Sequence, residues 1–345
     1  LHKGGKIGHL VVPIFIPYRG CPHRCVFCEQ ERITGKAARP VTGEEVEDIL
    51  EDAIHAKGFN LSGSREIAFY GGTFTGLPLA QMKGLLHATA FYLKEGLFHA
   101  IRISTRPDAL DDFRLEILKD HGVQTVELGA QSMDNRVLSL SRRGHRAEDT
   151  VRAVSLLRDH GFRVGLQLMP GLPGDCRETF RSTIAKVIEL GPDMVRLYPA
   201  LVIRGTELAL WYAQGRFRPW DLNEAVEVCA EACESLESKA IQVIRMGLMS
   251  SPSLLEEGQI VAGPWHPAFG SLVRSAIYRK RITPFLPEPG TMSRFTILSP
   301  KREIPLIRGY KNQGLQWVEK KTGAKVVGVK GDDSIPVGEI RIQGL

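Results

Sequence analysis

Residues 10–16, 66–70, 100–104, 125–128, 163–169 and 194–198 are short apolar runs that alternate with stretches of helical periodicity. Neighbouring strands that run the same way need a crossover between them, usually a helix. Six β-then-α units in succession therefore predict an α/β chain with a parallel sheet and its helices outside. Right-handed crossovers would curl such a sheet into a partial (β/α)6 barrel. The punctuation agrees with this reading. Thr42 heads a capping box with Glu45, opening a helix to about residue 55. Pro78 suits the first turn of a helix running to about residue 93. Helices are also predicted over 111–120, from Asp134, over 147–160 with Gly161 as its stop, and over 177–190 with Gly191-Pro192 after it.

Beyond Tyr198 the rhythm weakens. Residues 222–239 and 267–282 read as helices, and three prolines within 284–289 mark a break. Apolar runs at 295–298, 326–329 and 337–342 suggest strands in the tail. The expected organisation is a core over 1–220, a helical extension over 221–290 and a small β-rich appendage over 291–345. A hydrophobic fraction of 43% and a charged fraction of 24% exclude a disordered or fibrous chain. No apolar run approaches the ~20 residues of a membrane span, so no membrane partner is expected. The start, Leu1-His2-Lys3-Gly4-Gly5-Lys6, has no apolar core of a signal peptide and no initiator Met, which suggests a truncated or processed start.

Six cysteines are too few for a disulfide scaffold in a chain of 345 residues, and three of them crowd into Cys21-Pro-His-Arg-Cys25-Val-Phe-Cys28. Without an export signal, that crowding points to metal chemistry in a reducing, cytoplasmic compartment. Three thiolates this close, just after the first strand, suit three irons of a [4Fe–4S] cluster, which otherwise takes four cysteines. The fourth iron would stay open, as catalytic metal sites keep a position for substrate. A structural zinc site, with His23 or a remote residue as fourth ligand, is the competing reading and would make the chain a zinc-stabilised binding module. Chance clustering of reduced thiols is another.

Irregular or polar residues also follow the other strands: Gly71-Gly72-Thr73, Ser104-Thr105-Arg106-Pro107-Asp108, Glu127 through Gln131-Ser132, Met169-Pro-Gly-Leu-Pro173 and Tyr198-Pro199. In a β/α barrel these positions meet at the C-terminal face of the strands, where such folds build their sites. Each alone is also an ordinary turn, cap or ion-pair partner.

Taken together, these motifs resemble the radical S-adenosylmethionine (SAM) enzymes. The chain is most similar to the radical SAM half of the elongator catalytic-subunit family and more distantly to oxygen-independent coproporphyrinogen oxidase. The resemblance covers about residues 10–220 and is carried by residues 21–28, Glu127-Leu-Gly-Ala-Gln131-Ser with Arg143-Gly144-His145, residues 169–173, and Tyr198-Pro-Ala-Leu-Val-Ile-Arg-Gly-Thr206. It implies that Cys21, Cys25 and Cys28 ligate the cluster and that SAM chelates the open iron. It implies that Phe27 packs near the adenine and that Gly71, Gly72 and Thr73 meet the methionyl ammonium. Gln131 and Arg143 would bind the polar end of SAM, with Gln167 and Met169 facing the ribose and adenine. Ser104 would also line SAM, although relatives usually carry a carboxylate there. Reductive cleavage of SAM, fed by a low-potential electron donor of flavodoxin or ferredoxin type, would yield a 5′-deoxyadenosyl radical that abstracts a substrate hydrogen.

The family also carries a C-terminal acetyltransferase domain, and the 55 residues after Gly290 are too few for it. Transfer of that family's tRNA wobble-uridine chemistry is therefore unsafe on sequence alone. A net charge of +6 and a pI near 9.0 are compatible with tRNA as a partner. The alternative substrate is a small molecule or peptide held in the barrel mouth under Trp265-His266. Cys229 and Cys233, four apart on a predicted helix, read as small buried residues in preference to an auxiliary cluster with Cys176. Two basic runs, Arg142, Arg143 and Arg146, and Tyr278-Arg-Lys-Arg281, read as solvated helix faces with a phosphate contact as the sharper alternative. Trp317 beside Lys320-Lys321 is weak support for base stacking.

Overall fold

A computed structural model describes residues 9–248 and 251–344. The N-terminal stretch of residues 1–6 therefore lies outside the described residues. Twelve strands follow in chain order: β1 (His9–Phe15), β2 (Ser64–Tyr70), β3 (Ala100–Thr105), β4 (Val123–Gln131), β5 (Arg163–Leu168), β6 (Met194–Leu197), β7 (Val202–Ile203), β8 (Gln242–Met246), β9 (Ile260–Ala262), β10 (Arg294–Ser299), β11 (Lys325–Gly331) and β12 (Arg341–Gly344). The main sheet runs β1-β2-β3-β4-β5-β6-β8 and every pair in it is parallel. It curls into a partial barrel with helices on its outer face. The six expected strands are all present. The expected six-strand count is corrected to seven, because β8 adds to the edge of β6 from within the stretch read as a helical extension.

The outer face explains why the strands read as apolar. Ile67, Phe69, Ile101, Ile103, Val126 and Leu128 are fully buried against helices such as Gly43–His55, Leu79–His87 and Ala147–Asp159. The capping box at Thr42 forms, with Glu45 N–H donating to Thr42 Oγ1 at 3.2 Å and Thr42 N–H to Glu45 Oε2 at 3.0 Å. Gly161 and Gly191 end their helices in the left-handed region at φ 80° and 58°, where a Cβ is costly. The single helix expected from Pro78 to residue 93 is instead two, Leu79–His87 and Ala90–Lys94. Thr89 turns its hydroxyl onto Leu86 O at 2.7 Å, the local bond that competes with helix continuation.

Leu222–Glu237 and Phe269–Ile282 are helical as read, and Cys229 and Cys233 are fully buried in the main core. Cys176 is exposed at the head of Arg177–Leu190. The tail's runs at 295–298 and 326–329 become β10 and β11, while the run at 337–342 is mostly turn and loop and only its end enters β12; the β11-β10-β12 sheet has its own core of Phe295, Ile297, Ile307 and Val318. Two helices, Ile304–Arg308 and Gln313–Thr322, pack with it. The basic run at Tyr278 is built into this junction. Tyr278 is buried with its hydroxyl donating to Glu303 at 3.0 Å, Arg279 stacks over Trp317 at 5.7 Å, and Lys280 pairs with Glu234. Among the described residues, no helix is long and apolar enough to cross a membrane.

Candidate active site

The cysteine loop leaves β1 and folds back against the turn after β2. Gly72 and Gly20 make that contact possible. A Cβ on Gly72 would sit 2.3 Å from Arg19 O, and one on Gly20 would sit 2.1 Å from Thr73 O. Thr73 N–H donates to Arg19 O at 2.7 Å. Gln30 locks the same junction, its Oε1 accepting from Tyr18 N–H and Gly72 N–H, both at 2.7 Å. The other side of the loop is tied to the rest of the barrel, Val26 N–H to Ser141 O at 3.2 Å and Leu208 N–H to Val26 O at 2.8 Å.

Each of the three sulfurs meets a different polar group. Cys21 Sγ is 3.2 Å from Thr73 Oγ1, Cys25 Sγ is 3.2 Å from Arg143 Nη1, and Cys28 Sγ is 3.4 Å from Gln30 Nε2. Burial pushes the Cys21 thiol up and the Cys28 thiol up to about 12. As free thiols they are held neutral, and a cation is needed to make them thiolates. Among the described residues, no three of His, Cys, Asp or Glu converge at single-ion distance. The sulfurs stand around one cavity rather than around one point, an arrangement better suited to a cluster than to one tetrahedral zinc. His23, the candidate fourth zinc ligand, is turned away by a 2.8 Å bond from Nε2 to Arg143 O and rests on Gly144.

The cavity has a volume of about 1060 Å³ and its walls include Cys21, Cys25, Cys28, Phe27, Gly71, Gly72, Ser104, Gln131, Arg143, Gln167 and Met169. The barrel therefore brings eleven of the twelve sequence-derived candidates to one space. Thr73 is the twelfth. It is fully buried behind the loop, where its hydroxyl meets Cys21. The Gly72 amide is engaged by Gln30, so this turn can offer carbonyls to an ammonium but not that N–H. Gln131 is held at φ 68°, a left-handed conformation uncommon for such a residue. The register of β4 against β5 shifts between Leu128 and Gln131, and this irregularity accompanies the 3.3 Å bond from Gln167 Nε2 to Gln131 Oε1. Phe27 and Met169 belong to an apolar wall with Val137, Leu172, Ala200 and Leu208. Arg143 also bonds Gly129 O, while its Nε is buried without a partner among the described residues. An unsatisfied charged donor beside three thiols suits an anionic ligand group. The residues present thus fit a [4Fe–4S] cluster with SAM.

Deeper in the barrel lies a charge network that sequence reasoning reached only at Glu127. Arg102 bonds Glu66 and Glu127, at 2.7 and 2.8 Å, and Arg196 bonds Glu127 and the Tyr70 hydroxyl, at 2.9 and 2.6 Å. All four charged groups are largely removed from solvent. The available signal was a charged residue inside an otherwise apolar central strand, Arg102 in β3 and Arg196 in β6. Gln30 had no such signal, since its role depends on the turn 42 residues away. Trp265 and His266 line a separate small crevice that shares Pro199, Leu201 and Leu248 with the main cavity. The Arg142 and Arg146 side chains pair with Glu207 and Glu148, leaving Arg143 as the member of that run on the cavity wall.

Comparison with known proteins adds a family. The profile of the Radical SAM superfamily matches residues 15–187, and that of the Radical_SAM C-terminal domain matches residues 192–279. A tRNA uridine(34) acetyltransferase of Methanocaldococcus infernus is 31% identical over 276 residues, covering 69% of this chain and 52% of that protein. The human Elongator complex protein 3 is 29% identical over 185 residues, 48% of this chain and 34% of that one. The solved structure of the archaeal Methanocaldococcus infernus Elp3 superposes with a TM-score of 0.60 at 27% identity, covering 79% of this chain and 63% of that chain. The chain spans about half the length of the acetyltransferases it matches.

Proposed function

The chain belongs to the radical SAM superfamily and is an enzyme of that class, and from that premise we propose that its substrate is tRNA. One observation carries the choice of substrate class: of the seven arginines that line the cavity, Arg24, Arg102, Arg106 and Arg196 face Glu29, Glu66, Asp108 and Glu127, while Arg143, Arg163 and Arg245 have no carboxylate partner among the described residues, so the wall keeps an excess of positive charge. A wall of that composition favours a polyanion over a neutral metabolite. Relatives at about 30% identity named for action on tRNA uridine(34) support it.

Family membership implies a [4Fe–4S] cluster and SAM. Cys21, Cys25 and Cys28 would hold the cluster. Gly71, Gly72, Gln131, Arg143, Gln167, Met169, Phe27 and Ser104 would surround SAM. Bound together, the two groups supply homolytic hydrogen abstraction from an unactivated C–H bond. The chain's own work is positioning and exclusion. Phe27 and Met169, backed by Leu172, give the cavity an apolar wall that would help exclude water. Arg143 brings a fixed positive charge to the cysteine loop without needing a proton transfer. Gln30 and Tyr18 stiffen the loop, through Gln30 N–H to Tyr18 Oη at 2.7 Å and Tyr18 Oη to Cys28 O at 3.3 Å. Pro22, His23 and Arg24 are exposed beside the cluster cysteines, and this part of the loop is the approach for a low-potential donor of flavodoxin or ferredoxin type.

The test is 5′-deoxyadenosine formation by anaerobically reconstituted protein with reductant and SAM, with and without tRNA from a strain lacking the gene. Stimulation by that tRNA, lost in Cys25→Ala, supports the reading. A protein that neither binds tRNA at low salt nor responds to it in turnover rules it out in favour of a small molecule or peptide.

A further inference from the structure

The seventh strand carries an arginine whose orientation depends on an irregularity. In β6 and β8, Val195 pairs with Val243, yet the next pair is Arg196 with Arg245, because the register shifts and Ile244 is the extra residue. A bulge of this kind re-aims the side chains that follow it. Strict alternation from Val243, which is buried against the outer helices, would have sent residue 245 outward as well. The shift instead sets Arg245 beside Arg196, whose side chain points into the lumen at Glu127, and Arg245 lines the cavity.

Two like charges side by side on adjacent strands repel. The neighbouring carboxylates do not relieve Arg245. Glu127 is engaged by both Arg102 and Arg196, and Glu66 by Arg102. Arg102, Arg196 and Arg245 against Glu66 and Glu127 leave one positive charge in excess. Among the described residues, Arg245 has no ion pair or hydrogen-bonded side chain, although it is half-buried. An unpaired, partly desolvated guanidinium on the wall of a cavity suits an anion, and its planar fork matches two oxygens of one phosphate.

We propose that Arg245 is a substrate-recognition residue that binds a backbone phosphate of the RNA admitted to the barrel. This rests on the tRNA reading above. It assigns to the edge strand β8 the phosphate contact that sets how deeply the nucleotide enters, away from the Arg143 side, where SAM would bind.

The experiment is tRNA binding by reconstituted protein across a salt series, for the wild type, Arg245→Gln and Arg245→Lys, with SAM affinity measured on each. Loss of one phosphate contact should weaken tRNA binding by about tenfold at low salt and make the slope of log affinity against log salt shallower by about one in Arg245→Gln. Arg245→Lys should restore the slope, and SAM affinity should stay within twofold of wild type throughout. Wild-type binding with an unchanged affinity and slope in Arg245→Gln overturns this inference and leaves the tRNA reading standing. A parallel loss of SAM affinity that Arg245→Lys does not rescue also overturns it, since the residue would then serve the cavity as a whole. Absence of wild-type tRNA binding overturns both.

Discussion

Arg143 places Nη1 3.2 Å from the sulfur of Cys25, although 118 residues separate them in the chain. The same guanidinium holds Gly129 O and leaves Nε without a partner. One side chain therefore joins the cysteine loop to the end of β4 and still has donor capacity. Replacing Arg143 by Ala should weaken SAM binding by about 1.5–3 kcal/mol, the worth of a charged hydrogen bond. Calorimetric titration of reconstituted protein with SAM checks this, and unchanged affinity removes Arg143 from the SAM site.

Gly72→Ala tests the seam between loop and turn. The new methyl would lie 2.3 Å from Arg19 O and 2.6 Å from Ile16 O, both backbone atoms, at φ 59°. Neither neighbour can swing aside. A loss of about 3 kcal/mol in unfolding free energy is expected. Gly96→Ala is the control, with a similar φ of 67° and open space around it, and should cost only about 1–2 kcal/mol. Equal losses in denaturant unfolding would show that conformation alone, not the contact, decides.

Glu127 neutralises two arginines inside the barrel. Glu127→Ala leaves Arg102 and Arg196 buried with too little counter-charge, and breaking a buried pair costs about 3–5 kcal/mol. The double variant Glu127→Ala with Arg196→Met removes one of the stranded charges and should recover part of that loss. A double variant no more stable than the single one would count against the network as drawn.

Two buried groups give opposite pH dependences. Burial, with Arg143 and Arg106 nearby, holds His145 down at about 3 against an ordinary 6.5. Its stabilisation is present above pH 6.5 and is lost as pH falls below that value, at up to about 1.4 kcal/mol per unit. Burial pushes Asp175 up to about 7 from 3.8, although its carboxylate caps Gly171 N–H and Cys176 N–H. Protonation of Asp175 stabilises the folded chain, so that contribution is lost as pH rises from about 4 to 7. Between pH 4 and 6.5 the two offset each other. Unfolding measured across that window should fall more steeply on acidification in Asp175→Asn than in wild type. In His145→Leu stability should instead rise on acidification. Parallel profiles for all three proteins would remove both assignments.

Much of the site was legible because its signals are local. Three cysteines within eight residues carry their meaning in their spacing, and the polar ends of β2 to β6 follow from one strand-to-helix rhythm. Thr73 shows the limit. It sits in the right turn, but only packing determines that it faces Cys21 from behind and not the cavity. Gln30 carries no such signal, since a glutamine two residues after a cysteine has no signature until the turn at Gly72 is brought against it.

The sequence by itself determined the alternation of strands and helices, the cysteine loop and the end of the barrel at which the candidate site residues gather. These depend on periodicity and spacing within a few residues of each other. The tertiary structure decided the seventh strand, the Glu127 network and the unpaired Arg245 beside Arg196. Gln242–Met246 is five residues with no strong alternation of its own. It becomes a strand because β6 offers an open edge of backbone donors and acceptors that must be paired. The register shift at that edge then turns Arg245 inward, a choice made by pairing across the sheet and invisible to any window along the chain.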